Sequence, residues 1–214
     1  MYVQMFLGFM ISVAAAILGV LIGSLIWQFI RKPRLKIIPT WKIKGKTEPH
    51  IPRHFTPRRA FYHISVINHK MSEPARNVRL RLRWFKDGKE VLCIPGKWDF
   101  RPEPRRYLLR GGRLVSVPEP ALIPQCEVIN INPCDKQSFC ILMKEDGVSK
   151  AYAFNGFSYL APDLKHPDYR LDPGEYIVRV ELVGENVYTS KEFIIEIRGR
   201  GLDIGKDVVI EEKN

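Results

Sequence analysis

The chain has no charged side chain between Met1 and Ile30. That absence excludes an ordinary surface helix, which carries charge on its solvent face. Catalytic signatures are missing too. There is no G-x-S-x-G, no Walker loop, no H-E-x-x-H and no G-x-G-x-x-G, and Gly111-Gly112 stands as an isolated pair. No catalytic residue, cofactor or enzymatic activity is therefore assigned. Cysteine is scarce, with only Cys93, Cys126, Cys134 and Cys140, and no C-x-x-C. The spacings after Cys126 match neither a zinc knuckle nor a zinc ribbon. Pro52 separates His50 from His54, so a helix does not place both on one face. With His63 and His69 they read as solvated loop and strand histidines, and no metal is expected.

What replaces charge at the N-terminus is length. A helix rises about 1.5 Å per residue, so roughly 20 apolar residues cross a 30 Å hydrocarbon layer. Phe6 to Ile30 is long enough to span with some tilt. A cleaved signal peptide fits poorly. Met1-Tyr2-Val3-Gln4 is not basic, the apolar run is too long, and charge rather than a small-residue site ends it. An uncleaved single-pass anchor is expected. Trp27 and Gln28 near one end, and Tyr2 at the other, suit the membrane interface. Ala15, Gly19 and Gly23 recur at four-residue spacing, and Gly8, Ser12 and Ala16 form a second small-residue row. Small residues on one face let another helix approach. The expected helix partner is a second copy or another membrane protein.

Acid is nearly absent beside this segment. From Arg31 to Arg59 there are ten basic residues against the single Glu48, a net of +9, out of +11 for the whole chain. Residues 60–214 hold 24 basic and 22 acidic residues, so the remainder is close to neutral. This distribution argues against nucleic acid as a partner. Basic residues next to a span are retained in the cytoplasm, which predicts an outside N-terminus and a cytoplasmic C-terminal domain. Arg31, Lys32, Arg34 and Lys36 are the expected contacts to lipid headgroups.

Beyond the stem, alternation of period two dominates. In Asn77-Val-Arg-Leu-Arg-Leu-Arg-Trp-Phe85, Val78, Leu80, Leu82 and Trp84 share a face and Arg79, Arg81 and Arg83 the other. Tyr176–Val183, Phe193–Arg198, Phe61–Ile67 and Leu35–Ile38 read as strands as well, and Phe139-Cys-Ile-Leu-Met143 as a core strand holding Cys140. Lys86-Asp-Gly-Lys89, Asp172-Pro-Gly174 and Gly184-Glu-Asn186 supply turns. No long helical pattern intervenes. The expected fold is mainly β, an antiparallel β-sandwich preceded by one transmembrane helix. The divisions are 1–30 helix, 31–59 basic stem and first strand, 60–200 the rest of the sandwich, and 201–214 a tail that frays or adds a strand through Val208-Val-Ile210. Arg79, Arg81 and Arg83 are expected to pair across strands with acids such as Glu181 or Glu196. Asp163, Asp168 and Asp172 lack the calcium-loop pattern and read as turn residues.

Three stretches, Val66-Ile-Asn68, Ala75-Arg-Asn-Val-Arg-Leu-Arg-Leu82 and Leu171-Asp-Pro-Gly-Glu-Tyr-Ile-Val-Arg-Val180, resemble immunoglobulin-like β-sandwich modules of the CARDB kind in bacterial and archaeal proteins. The resemblance is at the level of fold, and a long insertion separates its ends. It implies a binding, adhesion or spacer role without catalysis.

The segment from Pro95 to Pro124 carries six prolines, which argue against a long regular strand. It also holds Trp98, Arg101, Arg105, Arg106, Tyr107, Arg110 and Arg113. Arg and aromatic residues dominate binding hot spots, so Trp98, Arg101, Arg105, Arg106, Tyr107 and Arg110 form the candidate partner-binding set. The expected function is a membrane-anchored protein-binding or scaffold module. The alternative is an extracytoplasmic adhesion or ligand-binding module in which the four cysteines form disulfides.

Overall fold

The computed structural model describes residues 2–39, 42–43, 46–47, 58–101, 103–199 and 207–213. Tyr2–Arg31 form one helix, α1. Arg31 closes it, where a cation suits the negative end of the helix dipole, and its guanidinium lies 4.3 Å over the Trp27 ring one turn earlier. The described side chains of α1 are exposed, and three in a row, Val20, Leu21 and Ile22, are among them. Consecutive helix residues point about 100° apart, so this part of α1 is apolar and uncovered all round. Among the described residues, no helix is long and apolar enough to cross a membrane. The side chains described for α1 run without interruption only from 12 to 27.

The described residues then build fifteen strands. They are β1 (Leu35–Pro39), β2 (Lys42–Ile43), β3 (Lys46–Thr47), β4 (Arg59–Asn68), β5 (Ala75–Lys86), β6 (Lys89–Pro95), β7 (Arg105–Arg110) and β8 (Arg113–Pro118). A short helix α2 (Ile123–Glu127) follows. After it come β9 (Val128–Ile131), β10 (Lys136–Glu145), β11 (Ala151–Ala153), β12 (Arg170–Leu171), β13 (Gly174–Val183), β14 (Tyr188–Ile197) and β15 (Val208–Glu212). One sheet has the order β1-β4-β10-β11-β12. The other runs β15-β14-β13-β5-β6, with β9 also on β5. The two short pairs β2–β3 and β7–β8 stand apart, and every ladder among the described residues is antiparallel. The fold is thus mainly β and sandwich-like, as the alternation predicts.

The core forms where the inner faces of the two sheets meet. Val78, Leu80, Leu82 and Trp84 of β5 join Tyr176, Val178, Val180 and Leu182 of β13 and Tyr62, Ile64 and Val66 of β4. The first sheet is covered on its other face too. There Phe61, Cys140, Met143, Phe154 and Leu164 make a second cluster, roofed by the turns after β11. A strand buried on both faces needs no polar alternation, which explains the unbroken apolar run around Cys140. A bulge between Cys140 and Leu142 shifts the β10 register and lets both Ile141 and Leu142 enter the main core.

Of the two readings of the tail, the strand holds: Val208 and Ile210 of β15 are core residues. One boundary differs from the sequence reading. Arg59 belongs to the domain rather than to the stem. It is the first residue of β4, buried, and paired with Glu145 at 3.2 Å and Asp163 at 3.2 Å. Lys144 of β10 is fully buried and meets Asp207 at 3.3 Å, and its ammonium also donates to the Val148 carbonyl. The pair links β10 to the approach of β15. Removing one partner strands a buried charge. Asp207→Leu should therefore cost about 3–5 kcal/mol in urea unfolding of the full chain in detergent micelles. Lys144→Met with Asp207→Leu should recover most of it.

Candidate functional site

The arginine-rich segment is not the irregular loop its prolines suggest. β7 and β8 pair along their full length, from Arg105 opposite Pro118 to Arg110 opposite Arg113. Pro104 lies before the ladder and Pro118 at its end, where a missing N–H costs nothing inside the pair. Gly111 and Gly112 turn the chain with φ of +55° and +75°. Positive φ at both central residues matches the twist of a two-residue hairpin. A Gly-Gly pair between Tyr107-Leu-Leu and Leu114-Val-Ser-Val was the signal available in the sequence; the prolines masked it.

The root of this hairpin is built into the sandwich. Gly96 N–H donates to the Leu80 carbonyl of one sheet at 3.0 Å, and Asp99 N–H donates to Ser138 of the other at 2.9 Å. Between them Trp98 is wholly buried. Its ring packs edge-on to Phe139 at 5.6 Å, and its Nε1 donates to the Glu127 carbonyl at 3.1 Å. Trp98 therefore offers no surface to a partner, and leaves the candidate binding set. Arg101 is also structural in part, donating to the Val128 carbonyl at 2.9 Å. With Asn77, Gln125, Val128, Ile129 and Asn130 it lines an open recess of about 390 Å³.

Around the root lies a buried polar group that the sequence did not announce. Lys97 is 5% exposed and its ammonium donates to the carbonyls of Trp98 at 3.2 Å and Arg101 at 3.1 Å. Burial pushes Lys97 below the usual lysine range, against the pull of Cys126, Asp99, Glu103 and Cys140. Burial pushes the Cys140 thiol well up and raises the Tyr159 hydroxyl, helped by Glu103, Cys140 and Asp99. Tyr159 receives Lys97 and Arg105 against its ring at 5.5 and 5.7 Å. His63 Nδ1 lies 2.7 Å from Asp99 Oδ2.

The blade beyond the root is open. Tyr107, Leu109 and Leu114 are 61%, 73% and 70% exposed. Facing residues in an antiparallel pair point the same way. One side of the blade thus holds Tyr107, Ser116, Leu109 and Leu114, and the other Arg106, Val117, Leu108, Val115, Arg110 and Arg113. Acids occur only at the base, where Glu119 meets Arg106 at 3.4 Å and Glu103 meets Arg105 at 3.8 Å.

The remaining candidates are dispersed. Ala15, Gly19 and Gly23 sit exposed on α1, with open space around both glycines. Arg31, Lys32, Arg34 and Lys36 are exposed at the join of helix and sheet. Of the β5 arginines, Arg81 and Arg83 pair internally, as expected: Glu181 accepts Arg83 at 3.4 Å and Arg81 lies 3.8 Å away. Glu196 instead pairs with Arg198. His50 and His54 lie outside the described residues. Among the described residues, no three His, Cys, Asp or Glu cluster as a metal site would require, and no disulfide joins the cysteines.

No family model matches the chain, and no curated protein matches it. Among solved structures it is similar to a family 123 glycoside hydrolase from Clostridium perfringens, with a TM-score of 0.32 and 10% identity. That likeness covers 76% of this chain and 26% of the hydrolase, so the chain spans about a quarter of its length.

Root and blade should respond differently to mutation. Trp98→Ala should destabilise the domain by about 3–5 kcal/mol in urea titration, whereas Arg106→Ala with Arg110→Ala should stay within roughly 0.5 kcal/mol. The thiols should divide likewise. At neutral pH a maleimide should modify the exposed Cys93 and Cys134 in the folded chain. Cys126 and Cys140 should react only after unfolding, since burial removes both access and thiolate. Mass spectrometry counts the adducts.

Proposed function

We propose that this protein is a single-pass, membrane-anchored module that binds or scaffolds other proteins and performs no catalysis. The observation that carries the reading is α1. It runs unbroken from Tyr2 to Arg31, no charge precedes Arg31, and its described apolar side chains have nothing packed on them. Exposed apolar surface on every side of a helix is unfavourable in water and favourable in lipid. Trp27 under Arg31 then stands at the interface, where an aromatic ring and a long cation both settle. The N-terminus lies outside and the sandwich in the cytoplasm, with Arg31, Lys32, Arg34 and Lys36 against anionic headgroups.

Within the bilayer, the open face at Ala15, Gly19 and Gly23 admits a second helix, from another copy or another membrane protein. The β domain is of immunoglobulin-like kind in this reading, a rigid platform for what it presents. That platform holds the β7–β8 blade out from the domain, its arginines and tyrosine on a preorganised support that loses little freedom on binding. The alternative, an extracytoplasmic module held by disulfides, gains nothing from the cysteines, since no disulfide joins them.

Alkaline carbonate extraction and thiol labelling in cells test the anchor and its direction together. The chain should stay in the membrane pellet, and Cys93 and Cys134 should react with an impermeant maleimide only after permeabilisation. Release into the carbonate supernatant would refute the anchor. Labelling in intact cells would reverse the topology. Gly19→Leu with Gly23→Leu should weaken crosslinking between helices.

A further inference from the structure

We propose that the β7–β8 hairpin is a second membrane contact, seating Tyr107, Leu109 and Leu114 in the interface of an anionic leaflet with Arg106, Arg110 and Arg113 on lipid phosphates. The inference rests on the anchored reading above and names the partner of the blade.

The composition of the blade changes along its length. Acid is confined to the base, at Glu103 and Glu119, both ion-paired there. The distal half has Leu109 opposite Leu114 and Arg110 opposite Arg113, closed by two glycines with open space around them. A protein partner of acidic character would satisfy the arginines and leave the leucines idle. A dry apolar groove would take the leucines and strand the arginines. A lipid interface accommodates both at once, because apolar side chains enter the acyl boundary while arginines reach back to phosphates. Tyrosine, two rungs nearer the base than the leucines, suits the headgroup level.

The segment before the hairpin is tied to the first sheet and then turns: Trp98 and Asp99 pair antiparallel with Phe139 and Ser138 of β10, and Arg101 N–H closes a turn on the Trp98 carbonyl at 3.2 Å. The root also fixes the blade, through buried Trp98 and the Arg101 bond to Val128.

The test uses the full chain in nanodiscs. Leu109→Cys in a Cys93→Ser, Cys134→Ser background carries the environment-sensitive fluorophore NBD; the buried Cys126 and Cys140 remain native. In nanodiscs of phosphatidylcholine with phosphatidylserine, NBD emission should shift to the blue and be quenched by lipids spin-labelled near the headgroup. Both effects should diminish in pure phosphatidylcholine and disappear with Arg106→Gln, Arg110→Gln and Arg113→Gln together. Identical emission in both nanodiscs and in detergent would overturn the proposal. A blue shift without quenching by spin-labelled lipid would overturn it too, since a protein then covers the blade. Failure of the chain to enter nanodiscs would refute the anchor instead. Flotation with phosphatidylserine vesicles would then read the hairpin alone, and a chain left at the bottom of the gradient would overturn the lipid contact.

Discussion

Asn68 is 1% exposed, and its amide is occupied on every side. Its Nδ2 donates to the carbonyls of Glu73 at 2.9 Å and Ile131 at 3.0 Å. Its Oδ1 accepts from Arg34 N–H at 3.3 Å and the Ser72 hydroxyl at 2.6 Å. A buried amide with partners on this scale specifies one arrangement, since any slip leaves polar groups unsatisfied. Four segments converge on it: the exit of α1, the turn between β4 and β5, the end of β9 and, through Asp135, the start of β10. Glu73 N–H also donates to the Arg31 carbonyl at 2.6 Å. The helix is thus bonded to the sandwich with no flexible linker between them. The geometry of the stem, and of everything presented near it, follows from that junction.

The parts of this fold that can be read in the sequence are those where one face is wet. The β5 arginines and the alternating valines and leucines of β13 gave away strand and face together, and Glu181 did pair with Arg81 and Arg83. Alternation fails where both faces are covered. β10 was recognisable as a strand only by its apolar run, and its bulge left no trace. Val208-Val-Ile210 could be read either as a strand or as a fraying end, because a five-residue strand is defined by its neighbour as much as by its own pattern. Arg59 shows the same limit for charge: nothing local separates a stem arginine from one buried against Glu145.

The candidate site was half legible. Arginine and tyrosine between prolines marked the stretch that folds into the hairpin, yet composition cannot separate a root from a blade. Trp98 looked like an anchor for a partner and is an anchor for the hairpin itself. The polar group beneath it, with Lys97 held by two carbonyls and Tyr159 shared by Lys97 and Arg105, unites residues from distant strands. Such a constellation exists only after the sheets meet. It also explains why so basic a segment is tolerated there, since Lys97 and Arg101 each donate to carbonyls and only the outer cations face outward.

The buried pair of Lys144 and Asp207 carries a consequence for the order of events during synthesis. β10 is made well before β15, so Lys144 leaves the ribosome long before its counter-ion exists. Until Asp207 is in place, closing the sheets buries the Lys144 ammonium without its carboxylate, which disfavours early closure. Docking of β15 brings the carboxylate beside Lys144 and seats Val208 and Ile210 in the core in one step.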